Sequence, residues 1–266
     1  MTGTLRIGTG GWTFEPWRGV FYPKGTRQAD ELAFAARHLT AIEINSTYYS
    51  SQKPESFAKW AAATPPGFKF AVKASRFCTN RKVLADAAPT VQNFLNQGIV
   101  ELGDRLGPIL WQFMATKRFD PVDFAAFLDL LPATLGGIPL HHCVEVRHDS
   151  FADPAFVALC RTRGVAIGLT DSAEFPMIAD VTADFVYARL MRGEDGIDTC
   201  YPPDGLQLWG RRLKAFAAGE APDDLTLSDP NHPAPRVARD VFAFFIKSGK
   251  VRAPAGAMAL QSLADR

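Results

Sequence analysis

The stretch AIEINSTYYSS, residues 41–51, begins as a buried β-strand and places a carboxylate in the middle of it. Alternate residues of a strand point to opposite sides of its sheet, so Ile42 and Ile44 share one side while Glu43 and Asn45 share the other. An isolated carboxylate in an apolar interior is costly to desolvate. The strand therefore requires cations from elsewhere in the chain close to Glu43.

Similar strands recur along nearly the whole chain and alternate with stretches of helical period. The eight strand-like runs are LRIGTG (5–10), AIEIN (41–45), FKFAVKA (68–74), GPILWQF (107–113), HCVEVRH (142–148), VAIGLTD (165–171), FVYARLM (185–191) and DVFAFFI (240–246). The helical stretches span 29–39, 54–64, 89–103, 121–135, 153–164, 204–219 and 256–264.

This alternation predicts one α/β domain over residues 1–266, built as a single (β/α)8 TIM-type barrel. An open doubly wound sheet more often has five or six strands. The passage 219–239, GEAPDDLTLSDPNHPAPRVAR, interrupts the pattern because it is long and proline-rich. In a barrel of this kind the functional site lies at the C-terminal ends of the strands.

Composition and charge give no support for a zinc-binding, membrane-spanning or strongly basic protein. The chain has 29 basic and 28 acidic residues, a net charge of +1, so no overall field favours nucleic acid or an anionic membrane. Cys78, Cys143, Cys160 and Cys200 are too far apart for a zinc knuckle and are expected to be reduced core thiols. The chain begins with a strand and has no long apolar run, so we expect a cytoplasmic protein without a membrane segment.

Strand parity predicts a charged cluster inside the barrel. Lys73, Glu145, Arg147 and Arg189 occupy the inward-facing side of their strands, as Glu43 does. We expect these side chains to neutralise one another. Such a cluster can simply close the barrel, but its position toward the strand ends also favours a binding site.

Six ordered motifs resemble the DUF72 family, the YecE-like proteins, over residues 5–260. The motifs are GTGGWTFEPWRGVFYP (8–23), EINSTYY (43–49), PPGFKFAVKASR (65–76), LGPILWQF (106–113), EVRHDSF (145–151) and RDVFAFF (239–245). The resemblance implies a TIM-type barrel with a deep bowl-shaped cavity and no established reaction. It also suggests cyclic or single-stranded nucleic acid as a ligand.

The resemblance carries over individual positions: Trp12, Trp17, Glu43, Asn45, Thr47, Tyr48, Lys73, Gln112, Glu145, Arg147 and His148. The chain departs from the family pattern at Gly10, at YARLMRG (187–193) and at FFIKS (244–248). These departures put any role of the last two strands in doubt, with the exception of Arg189.

The leading hypothesis is an enzyme that acts on a small anionic ligand, which is phosphorylated, sugar-like or a nucleotide. Glu43 or Glu145 would serve as general acid or base, and Lys73 belongs to the same catalytic set. Lys73, Arg147 and Arg189 would bind negative charge. The ligand-binding set comprises Trp12, Trp17, Asn45, Tyr48, Gln112, Arg147, His148 and Arg189.

The alternative hypothesis is a non-catalytic protein that binds single-stranded nucleic acid. The loops after the first two strands carry Trp12, Phe14, Trp17, Phe21, Tyr22, Tyr48 and Tyr49, and cations near them are Arg76, Arg81, Lys82 and Arg192. Aromatic faces stack on bases, and cations hold phosphates. A competing interpretation is that the rings of the first loop form a small core of their own.

Other chemistries have less support in the sequence. Glu43, Glu145, His148 and Asp171 are the candidate metal ligands, but H-x-H and H-E-x-x-H spacings do not occur. The chain has no G-x-S-x-G motif, and GTGGW lacks the spacing of a dinucleotide fingerprint. We therefore predict no metal and no cofactor. The oligomeric state is left open.

Overall fold

The computed structural model describes residues 2–264. The strands are β1 (Leu5–Gly10), β2 (Ala41–Ile44), β3 (Lys69–Lys73), β4 (Leu106–Gln112), β5 (Thr134–Leu135), β6 (Ile138–Pro139), β7 (His142–Glu145), β8 (Ala166–Ile167), β9 (Leu169–Asp171), β10 (Phe185–Arg192) and β11 (Asp240–Ser248). The α-helices are α1 (Glu31–Ala35), α2 (Ser46–Tyr49), α3 (Pro54–Ala62), α4 (Arg76–Thr79), α5 (Ala88–Leu95), α6 (Pro121–Leu128), α7 (Pro154–Thr162), α8 (Pro203–Ala218) and α9 (Ala253–Ala264).

Nine of the strands form one parallel sheet in the order β8-β7-β4-β3-β2-β1-β11-β10-β9. The two ends of this order, β8 and β9, are consecutive in the chain and are separated by Gly168 alone. The sheet is therefore a nearly closed barrel. Because β8 and β9 together occupy the single run predicted over 165–171, the barrel has eight strand positions, and the predicted TIM-type architecture is confirmed.

The apolar core has two parts. A large cluster lies between the strands and the helices and includes Ile42, Ile44 and Phe70. A smaller cluster fills the barrel interior, where the rings of Phe185 and Phe242 have centroids 6.2 Å apart. The remaining members of the interior cluster are Ala41, Ala71, Leu110, Cys143, Ala166, Tyr187 and Phe244. The charged side chains lie above this apolar floor, at the C-terminal ends of the strands.

Helix starts agree with the sequence, but several helices are shorter than predicted. Asp120 accepts hydrogen bonds from the backbone N–H groups of Val122 and Asp123 at the start of α6. The helix predicted over 121–135 ends at Leu128, and residues 134–139 form the antiparallel pair β5–β6. Gly136 and Gly137 have φ values of +57° and +79°, which suit a tight turn and not a helix.

Two further differences concern the other helical stretches. The helix predicted over 89–103 divides at Gly98, whose φ is +107°, into α5 and a 3-10 segment over Ile99–Arg105. The stretch predicted over 29–39 is helical only from Gln28 to Ala35, as a 3-10 turn followed by α1. Such boundaries are set by the packing of each turn as well as by the hydrophobic period.

The passage 219–239 is irregular and packs at the end of the barrel where the strands begin. The carboxylate of Asp180 accepts hydrogen bonds from the N–H groups of Ser228 and Asp229 at 2.7 and 3.0 Å. Arg161 donates to the carboxylate of Asp229 at 3.0 Å. These contacts fix the passage onto the barrel. None of the helices within residues 2–264 is both long and apolar enough to cross a membrane.

Candidate functional site

Arg189 joins the two interior carboxylates. Its Nε and Nη2 atoms donate to the two oxygens of Glu43, each at 3.0 Å, and Nη1 donates to Glu145 Oε2. Arg189 is 2% exposed and both glutamates are 0% exposed. This bidentate geometry gives a strong charge-assisted pair and supplies the cation that the carboxylate of β2 requires.

Three further side chains donate hydrogen bonds to the two glutamates. The Tyr187 hydroxyl donates to Glu43 Oε2 at 2.7 Å. Gln112 Nε2 and Arg147 Nε donate to Glu145 Oε1 at 2.9 and 2.6 Å. Burial raises the pKa of Glu145, but the two guanidinium groups outweigh burial and lower this pKa to about 2. Glu145 is therefore ionised at neutral pH.

Lys73, the last residue of β3, is the interior cation that is not paired with an acid. It is 7% exposed, and no carboxylate in residues 2–264 forms an ion pair with it. Its Nζ lies 4.1 Å from the centre of the Tyr48 ring. Burial, and next the charge of Arg189, lower the pKa of Lys73 to about 8. Lys73 therefore changes charge near neutral pH.

The strand ends hold Lys73 and its neighbours in place. Thr47 in the one-turn helix α2 donates its hydroxyl to the Lys73 carbonyl at 2.7 Å. The same helix carries Tyr48 over the amine. The turn follows β2 directly, so the segment that starts with Glu43 also supplies the ring beside Lys73. Asn45, which is half-buried, donates its side-chain N–H to the backbone carbonyl of Glu43 at 3.3 Å.

A segment after β9 lies across the same mouth. The Phe175 ring centre is 4.4 Å from the Arg147 guanidinium, a stacked arrangement of cation and ring. Glu174 beside it pairs with Lys247 of β11 at 2.7 Å. Sequence reasoning missed Phe175 and Glu174 because they lie in an irregular segment without a period. Tyr187 lies two residues before Arg189 in β10, on the same side of the strand.

Several predicted ligand-binding residues lie elsewhere. Trp17 is 1% exposed, and its indole N–H donates to the Lys250 carbonyl at 2.7 Å. It packs in the core of the first loop with Phe14 and Tyr22, and its contact with a ligand stays a prediction. Trp12 packs edge-on against Trp60 of α3, with ring centroids 5.2 Å apart, and is half-buried.

Two more predicted ligand-binding residues make contacts within the protein. The Nε, Nη1 and Nη2 atoms of Arg189 all donate to carboxylates, so its anion-binding role stays a prediction. His148 Nδ1 accepts a hydrogen bond from the Ser150 N–H at 3.1 Å and so caps the turn Asp149–Phe151. The structure thus brings together Glu43, Lys73, Gln112, Glu145, Arg147 and Arg189, with Asn45 and Tyr48 above them.

The acidic residues do not converge into a metal-binding set. Asp171 of β9 accepts hydrogen bonds from Tyr201 and Trp209 at 2.7 and 3.1 Å, outside the interior cluster. Glu43 and Glu145 are occupied by arginine. Within residues 2–264, no group of three or more His, Cys, Asp or Glu side chains is arranged to hold a metal ion.

Known proteins agree with this architecture. A family model described as "Protein of unknown function DUF72" matches residues 6–266. UPF0759 protein YecE of Escherichia coli K12 is 30% identical over 150 residues, which are 55% of this chain and 50% of that protein. The chain thus spans about half the length of the curated relatives it matches.

Two solved structures share the fold. A DUF72 family protein from Thermotoga maritima MSB8 has a TM-score of 0.74 and 22% identity, covering 99% of this chain and 100% of that one. A second, from Enterococcus faecalis V583, has a TM-score of 0.68 and 16% identity, covering 99% and 98%. At these identities the likeness shows the fold alone. The match of the family model over nearly the whole chain shows that this protein belongs to the DUF72 family.

Proposed function

We propose that this protein is an enzyme that binds a small anionic ligand at the C-terminal mouth of the barrel and uses Lys73 for proton transfer. The observation that carries the proposal is the burial of Lys73 without an acidic partner. General acids and bases work best when their pKa lies near the operating pH. Lys73, whose pKa is about 8, meets this condition, and Glu145, whose pKa is about 2, does not.

The charges of the cluster support an anionic ligand. Glu43 and Glu145 together balance Arg189 and Arg147. Protonated Lys73 therefore adds one uncompensated positive charge to a largely buried site. Because an unpaired buried charge is costly, an anion at the mouth would stabilise the ammonium form. A phosphorylated, sugar-like or nucleotide ligand supplies such a charge.

The proposal changes the roles predicted for the charged residues. Glu43 and Glu145 become positioning residues that act through Arg189 and Arg147. Arg147, with 23% of its side chain exposed, keeps one face toward the mouth. Arg147, Asn45 and Tyr48 are the residues that we expect to contact the ligand beside Lys73.

Competitive labelling tests the state of Lys73 without a known substrate. We expect its acetylation by acetic anhydride, followed by mass spectrometry, to rise with a midpoint near pH 8, because the neutral amine reacts. Inorganic phosphate should move this midpoint upward by stabilising the ammonium. Exposed Lys53 at the start of α3 is the internal reference. A Lys73 midpoint that coincides with that of Lys53 would refute the proposal.

Catalysis requires a second test. A panel of sugar phosphates and nucleotides is screened for turnover with the wild-type protein, and any hit is repeated with Lys73→Met and Lys73→Arg. We expect both variants to lose at least about 100-fold in kcat, since general acid–base catalysis contributes this much or more. Lys73→Arg should keep its affinity for the ligand because it keeps the charge. Full turnover in either variant would exclude Lys73 as the acid or base.

A binding role for single-stranded nucleic acid is the second candidate, supported by a rim cavity of about 510 Å³ after β3 and β4. Arg81, Lys82, Lys117 and Arg118 line it, and Phe77, two residues before the lining Thr79 in the chain, is 58% exposed. Cations with an exposed ring suit a phosphate backbone with unstacked bases.

Gel-shift titrations with a single-stranded oligonucleotide test this candidate. Binding should weaken steeply with salt, and Lys82→Gln with Arg118→Gln should reduce the slope of log affinity against log salt by about 1 to 2. Absence of a shift at low salt would count against it.

A further inference from the structure

A second cavity lies at the end of the barrel opposite to Lys73. It has a volume of about 490 Å³ and is bounded by the last turn of α7, the end of α8 and the passage 219–239. Arg239 lines it and directly precedes β11. In a parallel barrel the strands begin at the end opposite to the mouth, so this cavity is separate from the candidate catalytic site.

Arg239 is buried in this cavity without an acidic partner. It is 4% exposed, and no carboxylate in residues 2–264 forms an ion pair with it. Its Nη2 donates to the Pro235 carbonyl, whereas its Nε has no hydrogen-bond partner among the described residues. Burial lowers the pKa of Arg239, with Asp184 opposing the shift. A guanidinium presents five donors, so most of the donors of Arg239 have no acceptor within residues 2–264.

Two further arginines line the same space. Arg161 Nε also has no partner within the described chain, but its Nη1 holds the buried Asp229 and so fastens the passage 219–239. Arg236 is exposed at the rim. Arg161, which is half-buried, thus has a structural role through this ion pair. Among residues 2–264, Arg239 and Arg236 have no acidic partner of this kind.

The acidic residues that line the cavity are Asp180 and Glu220. Asp180 lines the wall, but both its oxygens accept backbone N–H groups, from Ser228 and Asp229. Glu220 is exposed at the edge. His232 pairs with Asp229 at 2.9 Å. Neither lining carboxylate lies in ion-pair contact with Arg239.

We propose that this cavity binds a small ligand through an oxyanion group, a phosphate ester or a carboxylate, held between Arg236 and Arg239. The planar guanidinium donates two parallel hydrogen bonds to such groups. The volume falls within the range of pockets for small molecules. The protein then has a second anion site, at the end of the barrel remote from the proposed catalysis.

Calorimetric titration of the full chain with inorganic phosphate, and separately with citrate, tests this site. We expect Arg236→Gln to raise the dissociation constant at least about tenfold, since a charge-assisted hydrogen bond is lost. Arg236 is exposed, so this variant should keep the fold. Arg211→Gln, an exposed arginine of α8 outside the cavity, is the matched control and should bind as the wild type does.

The Lys73→Met variant separates the two sites. Binding that persists in Lys73→Met and disappears when Arg236→Gln is added supports a second site; loss of all phosphate binding in Lys73→Met overturns it. Selenate soaked into crystals should give an anomalous peak between Arg236 and Arg239, and its absence at saturating selenate also overturns the proposal. If the cavity binds phosphate more tightly than citrate, the natural ligand is a phosphate ester; the opposite preference indicates a carboxylate.

Discussion

Arg189 and Lys73 show how two cations in one barrel interior come to have different roles. Three nitrogen atoms of Arg189 are bound to carboxylates, whereas Lys73 faces an aromatic ring and the mouth. Strand parity was sufficient to predict that both point inward. It did not reveal which cation meets which acid, because partners such as Arg189 and Glu43 are 146 residues apart and meet through the stagger of the strands.

Removal of Arg189 should be severely destabilising. We expect Arg189→Met to lower the free energy of unfolding by about 3–5 kcal/mol, because two buried carboxylates lose their shared cation. Chemical denaturation measures this loss, with Arg192→Gln at the exposed end of β10 as the control. A variant that also carries Glu43→Gln and Glu145→Gln should recover part of the stability. An Arg189→Met protein as stable as the control would contradict the geometry.

The ionisation of Glu145 predicts how stability depends on pH. Its pKa of about 2 in the folded protein lies below the ordinary value of 4.5. The unfolded chain therefore binds the proton first, and the stabilisation is present above pH 4.5 and is lost as the pH falls toward 2. This contribution is about 3 kcal/mol in total.

Urea unfolding between about pH 6 and about pH 3 measures this contribution. Other paired carboxylates titrate in the same window, so the informative quantity is the difference between the wild type and Glu145→Gln. Over that interval, we expect the free energy of unfolding of Glu145→Gln to fall by about 2 kcal/mol less than that of the wild type. Equal losses in both proteins would show that Glu145 is not held in its ionised form.

At the scale of secondary-structure elements, α8 depends on the glycine that ends it. Gly219 has a φ of +87°, and a Cβ added there would lie 2.4 Å from the Val237 carbonyl oxygen. Both the left-handed backbone and the close approach exclude other residues. The same contact brings the passage 219–239 against the end of α8.

We expect Gly219→Ala to lower the free energy of unfolding by about 2 kcal/mol or more, since the left-handed conformation alone costs about 1–2 kcal/mol. Gly196→Ala is the matched control, because a Cβ at Gly196 meets no atom within 4 Å. Thermal unfolding compares the two. If both substitutions lower the melting temperature equally, the end of α8 does not depend on this glycine. The Gly219 variant should also bind phosphate more weakly at the remote cavity.

The elements also show the limits of sequence periodicity. The run 165–171 was predicted as one strand but divides at Gly168, whose N–H donates to the Val144 carbonyl at 2.9 Å. The one-turn helices α2 and α4 were not predicted, since four residues are too few to establish a helical period. These short turns nevertheless determine where Tyr48 and Thr79 lie.

For the whole molecule, the predicted barrel followed from the alternation of strand and helix, which needs no knowledge of contacts. The DUF72 membership followed from ordered motifs and is confirmed by the family model. The interior cluster was predicted as a set of charges. For the first loop, the sequence did not distinguish rings that stack on a ligand from rings that form a small core of their own. The burial of Trp17 in that loop depends on the distant Lys250 carbonyl, which no local pattern indicates.

The apolar floor of the barrel restricts how Lys73 exchanges protons. Tyr187 and Phe244 are 0% exposed, and Phe185 and Phe242 fill the interior nearer to the strand starts. Within residues 2–264, these four rings belong to the buried apolar cluster that fills the barrel interior below Lys73. We therefore expect a proton that leaves Lys73 to depart toward the mouth, past the Tyr48 ring. A ligand that occupies the mouth, as proposed above, should slow hydrogen isotope exchange at this amine.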